Sequence, residues 1–126
     1  MAGKSILEKL QLKPGRTLLL QGAPAGYLEM AGYVPPGAVI STVIQSAFIV
    51  QVFIRSQAEL TAVFEKLAPL VEPGGMLWIT YPKLTSKLKG DIHRDSINTY
   101  AQQNGWTGIA IISIDNDWSA LRMKRL

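Results

Sequence analysis

Positively charged side chains that could bind an anion are concentrated in one short stretch of this 126-residue chain. The cationic or titratable residues there are Lys83, Lys87, Lys89, His93 and Arg94. They follow an apolar segment, residues 76–80, that is typical of a buried strand. Ligands of open α/β sheets bind at the carboxyl ends of the strands, so Tyr81, Lys83, Lys87, Lys89 and Arg94 are candidate ligand-binding residues. A solvated surface that maintains solubility is the competing interpretation.

A second candidate binding element is the turn that contains Gly22 and Gly26. It lies between a predicted strand at 17–20 and a short predicted helix, and the start of a helix offers free backbone N–H groups to an anion. Because both turns follow strands of one parallel sheet, we expect 22–26 and 83–94 to face one crevice. That crevice would hold a phosphate or carboxylate group.

The sequence offers little for nucleophilic or metal chemistry. It has no cysteine, His93 is its single histidine, and no Gly-x-Ser-x-Gly motif prepares a nucleophile. Asp115 and Asp117 flank Asn116 in a pattern that suits a hairpin turn better than a cation loop. We therefore predict no catalytic residue and no metal ligand, and interpret His93 as a capping or surface residue.

Composition indicates a single compact domain over residues 1–126. Apolar residues make up 48% of the chain and charged residues only 17%, and the net charge of +4 permits an acidic partner without requiring one. Nucleic acid is not favoured, because few aromatic residues accompany the basic ones. Residues 30–53 carry no charge, but prolines and polar residues interrupt them, so we expect no membrane helix. With no secretory signal visible, we expect a cytoplasmic location.

Predicted strands and helices alternate along the chain. Strands are expected at 17–20, 38–43, 48–54, 76–80, 108–114 and 118–124, and helices at 5–11, 24–32, 56–68 and 91–104. Capping boxes at Ser5 and Ser56 and a cap at Asp91 begin three of the helices. Pro82 is expected to break its strand, and Arg122 to pair with Asp115 or Asp117. The pattern predicts a three-layer, Rossmann-like, mostly parallel sheet with a C-terminal antiparallel hairpin strand.

Two family resemblances follow from particular motifs. Residues 48–80, which end in VEPGGMLWIT, resemble the second half of a class I methyltransferase core, and the closing hairpin is similar to the end of that sheet. Across nearly the whole chain, GMLW at 75–78, YPK at 81–83 and DWSALR at 117–122 resemble a family of small bacterial proteins of unknown function. That family shares the Rossmann-like core, so the resemblance implies a fold without an activity.

The methyltransferase resemblance implies S-adenosylmethionine as cofactor. It would be held by an acidic residue and a Gly-x-Gly-x-Gly turn after the first strand, and by a carboxylate after the second. Here Leu20 occupies the acidic position, Pro24 replaces the middle glycine, and the second strand ends without a carboxylate. Proline removes a backbone donor and adds bulk.

Our preferred hypothesis from the sequence is therefore a non-catalytic binding or interaction module for an anion or nucleotide-like ligand. The alternative is an S-adenosylmethionine-dependent methyltransferase with a degenerate cofactor turn. A shortened sheet would also leave an edge strand free to pair in a homodimer.

Overall fold

The computed structural model describes residues 3–126, and within that range six strands form one sheet. The strands are β1 (Thr17–Gln21), β2 (Val39–Ser41), β3 (Ala47–Phe53), β4 (Val71–Pro82), β5 (Trp106–Ser113) and β6 (Trp118–Arg125). Their spatial order is β2-β1-β3-β4-β6-β5; β1 to β4 run parallel, and β6 is antiparallel to both of its neighbours. The predicted mostly parallel sheet with a closing antiparallel hairpin is confirmed.

Helices cover the sheet on both faces and complete three layers. They are α1 (Ile6–Lys9), α2 (Tyr27–Ala31), α3 (Gln57–Leu67) and α4 (Arg94–Gln103), with a 3-10 turn at Ala68–Leu70. One core packs α3 and α4 against the sheet, and we call it the α3/α4 core. The α1/α2 core lies on the other face and includes Tyr27 and Trp78. Among residues 3–126 no helix is long and apolar enough to span a membrane.

The α1/α2 core joins the beginning of the chain to its last strands. The Lys9 Nζ atom donates to the Ser113 carbonyl at 3.1 Å, a contact across 104 residues of sequence. Phe53 of β3 packs edge-on against two rings, with its centroid 4.8 Å from Tyr27 and 5.0 Å from Trp118. This core therefore contains side chains from both halves of the sheet.

A buried polar network lies inside the same core. The Tyr27 hydroxyl donates to Gln51 Oε1 at 3.0 Å, and Gln51 Nε2 donates to Thr80 Oγ1 at 3.0 Å. Gln51 and Thr80 are fully buried, and only 2% of Tyr27 is exposed. Each of these side chains thus finds its partner within the protein, as buried polar groups generally must.

The helix caps agree only in part with those expected. Ser5 and Glu8 form the predicted capping box at α1. At α3, the Ser56 Oγ atom accepts from the Glu59 N–H at 3.1 Å, whereas the Glu59 carboxylate accepts from the N–H of Arg55.

The predicted cap of α4 by Asp91 is wrong. Asp91 Oδ1 instead accepts from the Gln57 N–H at 2.9 Å and so caps α3 from a distant segment. The N-cap of α4 is His93, whose Nδ1 accepts from the Ser96 N–H at 3.4 Å. Residues 83–92 fold back toward the end of β3, which brings Asp91 to the start of another helix.

Strand β4 is longer than the sequence predicts, because neither of its prolines ends it. Residues 73–75, which precede the predicted strand at 76–80, form a bulge within β4, since Ala47 pairs with Val71 and Ile49 with Met76. At the other end, pairing with β6 continues through Pro82, opposite Trp118. The pairing with β3 has already ended at Thr80, so the missing N–H of Pro82 interrupts no bond on that side.

The expected ion pair of Arg122 is also wrong. Asp115 Oδ1 accepts from the backbone N–H groups of Asp117 and Trp118, as the predicted hairpin turn requires. Asp117 Oδ1 accepts from the Ser86 hydroxyl at 2.8 Å. Within residues 3–126 the one salt bridge joins Arg94 to its neighbour Asp95.

Candidate ligand site at the carboxyl edge of the sheet

A cavity of about 410 Å³ lies beside the end of β4. Tyr81 and Lys83 border it from β4 and the residue after it, His93 and Arg94 from the start of α4, and Ser119 from β6. We call it the Tyr81 cavity. Three of the candidate ligand-binding residues, Tyr81, Lys83 and Arg94, therefore share one site.

The Tyr81 side chain is almost fully buried, with 5% of its surface exposed. Its hydroxyl makes no hydrogen bond within the described range. Burial raises the pKa of Tyr81 above the ordinary tyrosine value; the Arg94 guanidinium opposes that rise and the Asp95 carboxylate adds to it. The hydroxyl is thus protonated at neutral pH and able to donate.

Two cations and one carboxylate set the charge of the Tyr81 cavity. Lys83 Nζ donates to Ser113 Oγ at 2.6 Å, and the Lys83 N–H donates to the Asp117 carbonyl at 2.8 Å, so both ends of this residue are held. Arg94 Nε lies 3.3 Å from Asp95 Oδ1. That pair is exposed to solvent and therefore weak.

His93 is the N-cap of α4, which agrees with its prediction as a capping or surface residue. Because Nδ1 accepts from the Ser96 N–H, the hydrogen-bond pattern assigns the proton of the neutral ring to Nε2. The Ser96 hydroxyl completes the cap by accepting from the His93 N–H at 3.1 Å. Within residues 3–126 no group of three His, Asp or Glu side chains is arranged to hold a metal ion.

The turn after β1 borders a different cavity, of about 450 Å³, which we call the Gly22 cavity. It is lined by Gly22, Gly26 and also Leu20 and Tyr27, which belong to the α1/α2 core. Tyr81 belongs to the α3/α4 core. The two candidate turns therefore open on opposite faces of the sheet, and the structure does not bring them together in one crevice.

Lys87 and Lys89 are exposed and border neither cavity. The loop that carries them is held at Ser86, which donates to Asp117, and at Gly90, which packs against the backbone carbonyl of Arg55. A Cβ atom on Gly90 would lie 2.4 Å from that oxygen. The loop is thus anchored at both ends while its two lysines face solvent.

Arg55 is a cation near the carboxyl end of β3 that the sequence patterns do not single out. It lies two residues after the strand, and its guanidinium lies 5.7 Å from the centroid of the Trp118 ring. A cation shortly after a central strand that is apolar apart from Gln51 is the signal that could have revealed it.

The Gly22 cavity can be tested for its fit to S-adenosylmethionine. Gln21 Nε2 donates to the Thr42 carbonyl at 2.6 Å, so this side chain bridges the ends of β1 and β2. Glu29 is the one charged residue in the lining, and β2 is followed by Thr42 and Val43 rather than by a carboxylate. These residues do not fit the cofactor in the way that the methyltransferase resemblance implies.

Comparison with known proteins identifies the fold. No protein-family model matches the chain, and no curated protein matches it by sequence. A ribosomal protein L11 methylase from Lactobacillus delbrueckii subsp. bulgaricus superposes with a TM-score of 0.59 at 12% identity, over 94% of this chain and 74% of that one.

Two further solved structures agree. DhpI in a SAM-HEP complex gives a TM-score of 0.63 at 11% identity, over 94% of this chain and 83% of DhpI. The M1A22 tRNA methyltransferase TrmK of B. subtilis gives 0.58 at 12% identity, over 98% and 67% of the two chains. The chain therefore has the fold of class I methyltransferases, and identities this low establish the fold alone.

Proposed function

We propose that this protein is a non-catalytic binding module that holds a small anionic, nucleotide-like ligand in the Tyr81 cavity. One observation carries the proposal: Tyr81, whose hydroxyl has no hydrogen-bond partner in the described range, lines the same cavity as two cations, Lys83 and Arg94. The hydroxyl can donate to a ligand oxygen, while the cations balance its charge.

The dimensions and walls of the Tyr81 cavity suit such a ligand. Its volume of about 410 Å³ lies within the range of small-molecule sites, roughly 300–1,000 Å³. Leu84 and Ile111 line the same cavity and supply apolar surface for the body of the ligand. A ligand with an anionic group and an apolar or aromatic body would match these two kinds of side chain.

A binding role without catalysis agrees with the roles of the polar residues. The ring of His93 is engaged as a helix cap, and Lys83 Nζ is held by Ser113. General base catalysis needs a group of suitable pKa placed beside the proton that it removes. We infer that the Tyr81 cavity orients an anion rather than transforms it.

The resemblance to small bacterial proteins of unknown function is part of the same proposal. Their YPK motif supplies Tyr81 and Lys83 to the Tyr81 cavity, and their DWSALR motif supplies Ser119. We propose that the chain belongs to that family and that these motif residues mark a shared ligand site.

A methyltransferase is the second candidate. The fold match spans almost the whole chain, and the Gly22 cavity lies at the turn where the resemblance places the cofactor. Leu20 at the acidic position, Pro24 in the turn and the lack of a carboxylate directly after β2 count against it.

Ligand-induced stabilisation separates the two candidates. The full chain would be heated with S-adenosylmethionine, AMP, inorganic phosphate or single-stranded DNA, each at constant ionic strength. We expect AMP or phosphate to raise the Tm, since a ligand at 100 times its Kd adds about 2.7 kcal/mol. Stabilisation by micromolar S-adenosylmethionine alone would refute the binding-module proposal in favour of the methyltransferase.

Variants then locate the site. Tyr81→Phe and Arg94→Met should weaken AMP binding at least tenfold, because hydrogen bonds to charged groups contribute about 1.5–3 kcal/mol. Lys87→Met removes an equal charge from the same loop and should leave binding unchanged. If Lys87→Met weakened binding as much as Arg94→Met, the loop would act only as a diffuse basic surface.

A further inference from the structure

The outer edge of β5 is open along its middle. β5 is a terminal strand of the sheet, and within the described residues it pairs with β6 alone. Side chains hold both ends of this edge: the Gly108 N–H donates to Asn98 Oδ1 at 2.8 Å, and the Ser113 carbonyl accepts from Lys9 Nζ at 3.1 Å. Residues 109–112, which read Ile-Ala-Ile-Ile, lie between these two contacts.

The hairpin turn determines which backbone groups of β5 face outward. The Ile114 N–H donates to the Trp118 carbonyl at 2.9 Å, so these two residues form a hydrogen-bonded pair. Hydrogen-bonded and non-hydrogen-bonded pairs alternate along an antiparallel ladder. Ile112 therefore bonds to β6, whereas Ile111 and Ser113 direct their N–H and C=O groups away from it. Within residues 3–126 the backbone of Ile111 has no hydrogen-bond partner in any other segment.

The open part of this edge is apolar and uncharged. Ile109 and Ile111 are 44% and 46% exposed, and Ala110 between them is exposed as well. Residues 96–114 contain no charged residue, no histidine and no proline. Charges and prolines are the usual means by which an edge strand is kept from pairing with another chain, and the bulge between Gly108 and Ala110 disrupts only one end of the open part. This edge is therefore suited to accept a further strand.

A second copy of β5 complements this edge. Identical edges can meet only where they bring no like charges together, and the uncharged residues 109–112 meet that condition. In an antiparallel arrangement about a two-fold axis, the outward N–H and C=O groups of Ile111 bond to those of Ile111 in the second copy. Ala110 then lies opposite Ile112 of the second copy, so a small side chain meets a large one on the face of the α1/α2 core.

We propose that β5 pairs with β5 of a second copy across a two-fold axis at Ile111, which joins the two six-stranded sheets of a homodimer into one. This assigns the homodimer expected from the shortened sheet to a particular edge. A contact through so few residues buries less than the roughly 800 Å² per partner of a standard interface, so the dimer is weak and reversible. Ile111 also lines the Tyr81 cavity, so the two copies of that cavity lie on either side of the axis. Dimerisation does not depend on the ligand proposed above.

Sedimentation velocity and NMR of a mixed sample test this dimer in the full chain. The average mass should rise from 13.8 kDa toward twice that value between low-micromolar and near-millimolar protein concentrations. The mixed sample combines unlabelled chains with deuterated chains that carry amide protons on isotope-labelled nitrogen. In it the Ile111 amide should show nuclear Overhauser contacts to protons of the unlabelled copy. A mass that stays at 13.8 kDa, or a dimer whose Ile111 amide lacks these contacts, would overturn the proposal.

Matched variants locate the contact. Ile111→Lys places like charges opposite one another and should raise the dissociation constant of the dimer at least about tenfold. Ile111→Pro removes an N–H that faces away from β6, so circular dichroism should show an intact fold while the dimer is lost. Val43→Lys is the control, because Val43 is 71% exposed and lies two residues after β2, the opposite edge strand; it should leave the dissociation constant unchanged. If Val43→Lys abolished the dimer and Ile111→Lys did not, the contact would lie at β2 and the proposal would be wrong.

Discussion

Because the Tyr27 hydroxyl is buried, the protein should lose stability as the pH becomes alkaline. Burial raises the pKa of Tyr27 to about 12, and the Asp115 carboxylate adds to that rise. In the unfolded chain the hydroxyl has its ordinary pKa of about 10. Because the folded pKa is the higher one, the contribution is fully present below pH 10 and is lost as pH rises toward 12.

Tyr27→Phe removes this dependence. At pH 8 the variant should be less stable than wild type by about 1–2 kcal/mol, because Gln51 Oε1 loses its donor. At pH 11 the unfolded wild-type tyrosine is mostly ionised and the folded one is not, which destabilises the wild-type fold by about 1.4 kcal/mol. The difference between the two proteins should therefore shrink almost to zero.

Urea denaturation at both pH values measures this difference. Tyr33→Phe is the matched control, since 76% of Tyr33 is exposed, and it should match wild type at pH 8 and at pH 11. All other titrations, including those of the lysines, are common to the three proteins and cancel in the comparison. If the difference in free energy of unfolding between wild type and Tyr27→Phe were the same at pH 8 and pH 11, the reasoning would be refuted.

Three further predictions concern stability and are measured by urea denaturation at pH 7. Gln51→Leu should cost about 2–4 kcal/mol, because it strands the Tyr27 and Thr80 hydroxyls in the core; a loss below 1 kcal/mol would contradict the network. Gly22→Ala should lower the free energy of unfolding by well over 1 kcal/mol, because its Cβ would lie 2.9 Å from the Phe53 carbonyl oxygen and its φ is +78°. Gly26→Ala is the control: its Cβ would meet open space at a φ of +81°, so it should lower the free energy of unfolding by only about 1 kcal/mol. Asp91→Ala should lower the free energy of unfolding by about 1 kcal/mol through the lost cap of α3, and Asp95→Ala, which loses only an exposed salt bridge and a first-turn charge, should lower it by less.

Local patterns were enough to predict the sheet. Apolar runs separated by capped helices give the strand sequence, and the three-residue turn at 115–117 makes the last pair antiparallel. Ser5, Ser56 and Gly105 mark helix ends through contacts within a few residues, which a sequence shows directly.

Contacts between distant segments could not be predicted in this way. Asp91 caps α3 rather than α4 because the loop after β4 folds back to the end of β3. Pro82 stays in its strand because the neighbour on one side has already ended. Within residues 3–126 Arg122 forms no salt bridge, because Asp115 accepts from backbone N–H groups of the hairpin turn and Asp117 accepts from the Ser86 hydroxyl.

The sequence predicts that Tyr81, Lys83 and Arg94 lie near one edge of the sheet, and the structure groups these three around one cavity. The expected crevice shared with the Gly22 turn is absent from residues 3–126. Which face of the sheet each turn opens on depends on where the helices pack, and the spacing of residues along the chain does not encode that. The Gly22 turn is separated from the lysines for this reason.

The contact between α1 and the last hairpin has a consequence for synthesis of the chain on the ribosome. Lys9 and Ser113 are 104 residues apart, so at translation rates of about 5–20 residues per second the first helix waits roughly 5–20 s for its partner. During that interval Phe53 lacks the Trp118 ring that later packs against it. The part of this apolar face that Trp118 covers in the folded protein therefore stays uncovered in the nascent chain until the hairpin emerges.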